Sequence, residues 1–323
     1  SDEEHVAEEG TGVMAKMKAI MNATTGGNTT ADENPVKQKQ PVKQIILLGE
    51  RHSGTNWITD HLAECFGDSI KVKESYKRFK HWFQEDDLDV VPEDSAVVVV
   101  MFRDPYDWVE AMRVEPHHAH DHLYYPSGKI DYSRQDNWRE QASPLPWKEF
   151  VTKPWIGRRG PKDKNMTREE MAHATCLEGY SFVDAAPCSK EDSKELRGLG
   201  EYKYELSPDG SERGFNSVID LRRAKILHLL SIADFRGTRA FLPFRSEDLN
   251  HNGTARLLGE LDEATRVKAN CSATLGKARH RDRRHLRSKK VTKHEKVPSD
   301  YIEWMNKYVD WKVESRLGYV RRE

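Results

Sequence analysis

Two unbroken apolar stretches set the frame of this chain. Ile45 to Leu48 is short, and Ala96 to Phe102 (Ala-Val-Val-Val-Val-Met-Phe) is longer and β-branched. Runs without polar alternation are expected of strands buried on both faces of a parallel sheet. Each leads into a tight turn and a helical pattern. After the first, Ile58, Leu62, Cys65 and Phe66 recur at helical spacing, with Ser53 or Thr55 as the expected cap and Gly67-Asp68 as the stop. After the second, Asp104-Pro105 offers a capping carboxylate and a first-turn proline. Strand, turn and helix thus recur within about 65 residues, the signature of βαβ units. Ile70 to Lys73 reads as a further short strand.

Regular patterning returns late. Val218, Leu221, Ile226, Leu229 and Leu230 predict an amphipathic helix from about Asn216 to Ala233. Ala240 to Phe244 predicts a strand, with Pro243 at its end or at a sheet edge. A helix over Asn252 to Leu261 follows. Ser299 is the expected cap of a final helix that buries Ile302, Met305, Tyr308, Val309 and Trp311. Between these halves, residues 113–215 are rich in His, Trp, Tyr, Pro and charge, and read as a loop-rich insert. Within it, Met171 to Leu177 reads as helical and Tyr202 to Leu206 as part of a hairpin. Residues 1–43 are polar and poor in aromatics, as expected of a flexible stem, leaving 44–323 as the folded body.

Composition narrows the function classes. A third of the 323 residues are charged, yet the formal net charge is −1, which argues against a general nucleic-acid binder. No run of 18 apolar residues occurs, so attachment to a membrane would need a segment outside this chain. Five of the 11 asparagines (Asn22, Asn28, Asn165, Asn252 and Asn270) sit in Asn-x-Ser/Thr sequons, against about one expected by chance, which points to the secretory pathway. The four cysteines, Cys65, Cys176, Cys188 and Cys271, form no Cys-x-x-Cys motif. Count alone leaves two readings open: a Cys176–Cys188 disulfide, or four free thiols.

The chemistry gathers at the first turn, Gly49-Glu50-Arg51-His52-Ser53-Gly54-Thr55-Asn56-Trp57. A glycine-bracketed loop between a buried strand and a helix start directs backbone N–H groups and a positive dipole end at an anion. The Gly-Lys-Ser/Thr ending of a nucleotide hydrolase or kinase is missing, and the cations precede Ser53-Gly54 instead. Downstream stand Lys80-His81, Arg103-Asp104-Pro105 and Phe244-Arg245-Ser246-Glu247-Asp248-Leu249. In this order the four landmarks resemble those of sulfotransferases that use 3′-phosphoadenosine-5′-phosphosulfate (PAPS). That likeness implies a three-layer α/β/α fold, P-loop NTPase-like, with a central mainly parallel sheet, and a Golgi-type enzyme of the lumen.

By the same resemblance, Ser53, Gly54, Thr55, Asn56 and Trp57 cradle the 5′-phosphate, and Arg51 or His52 neutralises charge on the bridging oxygen. His52 stands where the family has lysine. Lys80 and His81 occupy the place of the family's general base, with Glu50 or Glu74 as carboxylate alternatives. Arg103 binds the 3′-phosphate. The family's serine eight residues further on is Ala111 here, so Lys277 or Arg279 is the expected second contact. The reaction implied is sulfuryl transfer from PAPS to a hydroxyl of a glycan or small metabolite, giving 3′,5′-ADP without a metal. The rival readings are a P-loop kinase-like phosphotransferase and an inactive glycan-binding relative.

Three further features invite chemistry. His117, His118, His120 and His122 lack zincin spacing and read as an acceptor-site loop or a solvated segment rather than a metal centre. Tyr124, Tyr125, Trp147 and Trp155 suit either sugar stacking or the core of the insert. The basic run from Arg279 to Lys296 reads as a solvated loop, a 3′-phosphate contact or a polyanion-docking face.

Overall fold

The computed structural model describes residues 41–78, 80–116, 122–124, 143–155, 215–274 and 298–323. Its centre is a four-stranded sheet in the order β2-β1-β3-β6, every neighbouring pair parallel. The strands are β1 (Gln44–Gly49), β2 (Lys71–Lys73), β3 (Ala96–Phe102) and β6 (Thr238–Arg245). β1 and β3 are buried along their whole length, as the unbroken apolar runs require. β6 lies at an edge, where Pro243 sits opposite Val100 and its missing N–H faces away from the ladder. A small antiparallel pair, β4 (Leu123–Tyr124) and β5 (Ser143–Pro144), lies apart from it.

Helices cover both faces of the sheet. Ile45, Leu47, Val97 and Val99 pack against α1 (Thr55–Phe66) and α6 (Ala255–Thr265). Ile46, Leu48, Val98 and Val100 pack against α4 (Val218–Ser231) and the segment around Val313 and Leu317. Alternation along each strand divides these residues between the two faces. A further core joins α2 (Pro105–Val114), α3 (Trp147–Thr152), α4 and α7 (Ser299–Tyr308) around Trp108, Phe150, Trp155 and Met305. The architecture is α/β with a parallel central sheet.

Several elements differ from the sequence expectations. The helix expected over Asn252 to Leu261 runs from Ala255 to Thr265 as α6, and an unexpected α5 (Ser246–Asn252) precedes it, ending at Gly253, whose φ is 73°. Neither Ser53 nor Thr55 caps α1: Gly54 holds the N-cap position in a left-handed conformation, and no side chain caps the helix. α7 has Pro298 at its N-cap and no side-chain cap, so Ser299 is its first residue. Tyr308 is 52% exposed rather than buried, because Tyr301, Met305 and Val309 supply the inner face. The helix and hairpin expected at 171–177 and 202–206 lie outside the described residues. No helix among the described residues is long and apolar enough to cross a membrane.

The cysteines are not four free thiols. Cys65, at the end of α1, is disulfide-bonded to Cys271, 206 residues away. Cys176 and Cys188 lie outside the described residues. The pairing joins positions that only the fold of α1 against α6 brings together, so nothing in the local spacing foretells it.

Candidate functional site

The candidate site lies at the carboxyl ends of β1 and β3, where loops of a parallel sheet gather ligands. Gly49 ends β1 opposite Met101, and a Cβ there would stand 2.7 Å from the Met101 carbonyl and 2.9 Å from Thr55 Cγ2. Only glycine lets the loop leave the strand so close to β3. The loop then turns through left-handed residues at His52 (φ 60°) and Gly54 (φ 83°). Ser53 folds back on it: its N–H and hydroxyl both donate to the Glu50 carbonyl, at 3.3 and 2.6 Å. α1 then starts, its first-turn N–H groups left without a side-chain cap.

Cations surround this start. Arg51, Lys80 and Lys225 are buried, and Arg103 is half-buried. Lys80 Nζ donates to Asn56 Oδ1 at 2.6 Å and pairs with Glu74, which also accepts from Thr59. Burial lowers the Lys80 pKa against the pull of that carboxylate. Arg103 Nη1 donates to the His52 carbonyl at 3.0 Å and so ties the end of β3 to the loop. The neighbouring acids do not take Arg103: Asp104 caps α2, and Asp104 and Asp107 both pair with Arg322, at 2.8 and 3.0 Å.

Two histidines in the site are neutral, for related reasons. His81 lies beside Gly49, because Lys80–His81 runs along the end of β1 (Gly49 N–H donates to Lys80 O at 3.1 Å). Its Nδ1 is 2.8 Å from the Gly49 carbonyl. A carbonyl only accepts, so Nδ1 carries the proton and the lone pair sits on Nε2. Burial first, and then the charges of Lys80, Arg51 and Lys225, hold His81 well below the usual histidine range. Lys225 Nζ also donates to the His81 carbonyl at 2.8 Å. His52 donates from Nε2 to the Glu115 carbonyl at 2.8 Å, and burial lowers its pKa too. His52 therefore offers no lysine-like charge; its ring holds the loop to the end of α2.

The two carboxylate alternatives separate cleanly. Glu50 is fully buried and bound by Arg222, whose Nη1 lies 3.1 and 3.0 Å from its two oxygens, and burial pushes its carboxyl up. Glu74 is partly exposed and shares Lys80 with Asn56 at the helix start.

Other expected site residues are placed elsewhere or not described. Ala111 lies on α2 and brings no hydroxyl. Lys277, Arg279 and the run to Lys296 lie outside the described residues, as do His117, His118, His120 and Tyr125. His122 is buried against Trp155 (ring centroids 4.3 Å apart) and Phe150, which favours the core reading for that part of the insert. His61, Cys65 and Cys271 bring donor atoms within 4.8 Å of one another, but the two sulfurs are bonded to each other.

Sequence reasoning missed Arg222 and Lys225. Both sit on the helix expected from Val218 onward, where neither was singled out; the signal available was two basic residues amid Leu221, Ala224 and Ile226. No protein-family model, curated protein or solved structure matches this chain.

Proposed function

We propose that this protein is a PAPS-dependent sulfotransferase with a P-loop NTPase-like domain, moving a sulfuryl group to a hydroxyl of a glycan or small metabolite. The observation that carries the reading is one juxtaposition. An uncapped helix start, bracketed by Gly49 and Gly54 and ringed by Arg51, Lys80 and Arg103, faces the same strand end as a neutral His81. The first half suits a phosphate or sulfate group, and the second suits proton abstraction from a hydroxyl.

PAPS supplies the sulfuryl group; transfer forms an S–O bond to the acceptor, breaks the S–O bond to the 5′-phosphate and leaves 3′,5′-ADP. The residues present fit such an anion. The first-turn N–H groups of α1 and the Thr55 hydroxyl hold a 5′-phosphate, and Arg51 offsets charge that builds on the bridging oxygen. Lys80 orders the helix start through Asn56. Arg103 serves the 3′-phosphate side while its Nη1 anchors the loop. His81 takes the acceptor proton on Nε2, the nitrogen that its bond to Gly49 leaves unprotonated. His52 positions the loop and does not replace the family's lysine.

The Cys65–Cys271 disulfide and the exposed sequon asparagines Asn252 and Asn270 support a secretory-pathway setting, with the Golgi lumen as the proposed site. Thermal shift tests the ligand class: 3′,5′-ADP without Mg²⁺ is expected to stabilise the protein. A response to Mg-ATP alone would favour the kinase reading, and no response to either an inactive relative. His81→Ala is then expected to abolish turnover of labelled PAPS while 3′,5′-ADP still binds; continued turnover would move the base to Glu74.

A further inference from the structure

Beneath the loop lies a cluster that the proposed chemistry does not use. Arg222, on α4, is 1% exposed, yet its guanidinium serves three chain segments. Nη1 meets the Glu50 carboxylate at the start of the loop. Nε and Nη2 grip both oxygens of Glu314, the latter at 2.9 Å. Nη2 also donates to the Arg103 carbonyl at 2.8 Å. One face of the group lies over the Trp108 ring, 5.1 Å from its centroid. The planar fork is thereby nearly saturated with acceptors, an arrangement open to arginine and not to lysine.

Glu314 belongs to a short helix, α8 (Trp311–Glu314), within a segment tied repeatedly to the loop after β3. Tyr319 donates to Glu247 at 3.2 Å, and Glu247 accepts the Asp104 N–H at 2.9 Å. Arg322 pairs with Asp104 and Asp107, and its N–H donates to the Tyr106 hydroxyl at 2.9 Å. Both walls of the anion cradle, Glu50 on one side and Arg103–Asp104 on the other, therefore rest on residues 310–322.

We propose that residues 310–322 are a working part of the anion site, in which Arg222 and Glu314 act as positioning residues that couple docking of this segment to ligand binding at the phosphate loop. The inference rests on the sulfotransferase reading for its ligand. A cradle whose donors must meet an anion within a few tenths of an ångström loses affinity when its walls separate. Coupling is reciprocal, so a ligand that favours the closed cradle also favours the docked segment.

The test uses 3′,5′-ADP and the full chain. Calorimetry is expected to show binding to the wild type and an affinity about tenfold or more weaker in Glu314→Gln, which preserves volume but removes the charge. Arg222→Lys is expected to lose as much despite keeping its charge. Hydrogen exchange on the wild type gives an arm independent of any variant: the amides of residues 311–319 are expected to slow when 3′,5′-ADP is added. A folded Glu314→Gln protein with a lowered Tm but unchanged affinity would mean that the cluster is only structural, and so would unaltered exchange in 311–319. Absence of wild-type binding would instead overturn the sulfotransferase reading, and the coupling with it.

Discussion

The Cys65–Cys271 disulfide gives the sharpest stability prediction. It closes a ring whose ends are 206 residues apart in the chain, from the end of α1 to the segment after α6. In the chain-entropy model, opening a ring of that size releases about 18 cal/mol/K to the unfolded state, or about 5 kcal/mol at 25 °C. Domains are typically stable by about 5–15 kcal/mol, so the loss is large. The candidate site should feel it, because the same helix that carries Cys65 begins at the loop after β1. The assay is guanidinium unfolding of the wild type with and without a phosphine reductant, beside a Cys65→Ser/Cys271→Ser double variant. The midpoint is expected to fall by about 1 M on reduction, taking a slope of about 4 kcal/mol/M for a domain of this size. The double variant is expected to sit at the reduced value and to ignore reductant. Coincident curves for oxidised and reduced wild type would refute the reasoning.

Three other outcomes follow from the site. Gly49→Ala drives a Cβ against the Met101 backbone and Thr55, so it should cost about 1–3 kcal/mol and weaken 3′,5′-ADP binding; chemical denaturation and calorimetry check both. Lys225→Met removes one of the cations that hold His81 low, so protonation of the base should start at higher pH; the acid limb of a PAPS rate profile should move upward, while the wild type stays flat from neutral pH to pH 8. Partly buried His81, His52 and His228 all have lowered pKa values, His228 down to about 4, so the unfolded chain takes up protons first as pH falls below about 6.5. Stability should fall between about pH 6.5 and pH 4, and His228→Phe should flatten part of that fall in urea titrations at several pH values.

Local chemistry made much of the sheet readable. β1 and β3 follow from continuous apolar runs, and the Asp104 cap of α2 from an Asp-Pro pair, because each rests on neighbours in sequence. The sequence singled out His81 but could not give its tautomer. The tautomer depends on the Gly49 carbonyl, 32 residues away, and the neutral state on burial and on Arg51 and Lys225, brought in by other elements, beside adjacent Lys80. Ser53 misled as a cap because Gly54, one residue on, takes the N-cap position, while the Ser53 hydroxyl donates back to the Glu50 carbonyl.

By itself, the sequence determined the alternation of strands and helices, the glycine-bracketed loop at a strand end, and the residue types that gather there. These depend on short-range sterics, burial and capping. Tertiary structure alone decided which cysteines pair, that His52 is a neutral tether rather than a charge, and that Glu50 is spent on Arg222. Each turns on contacts between residues about 60 to 200 positions apart, where no local pattern reports the partner. Burial then sets protonation: the apolar surroundings that keep His81 and His52 neutral exist only once the layers have closed over them.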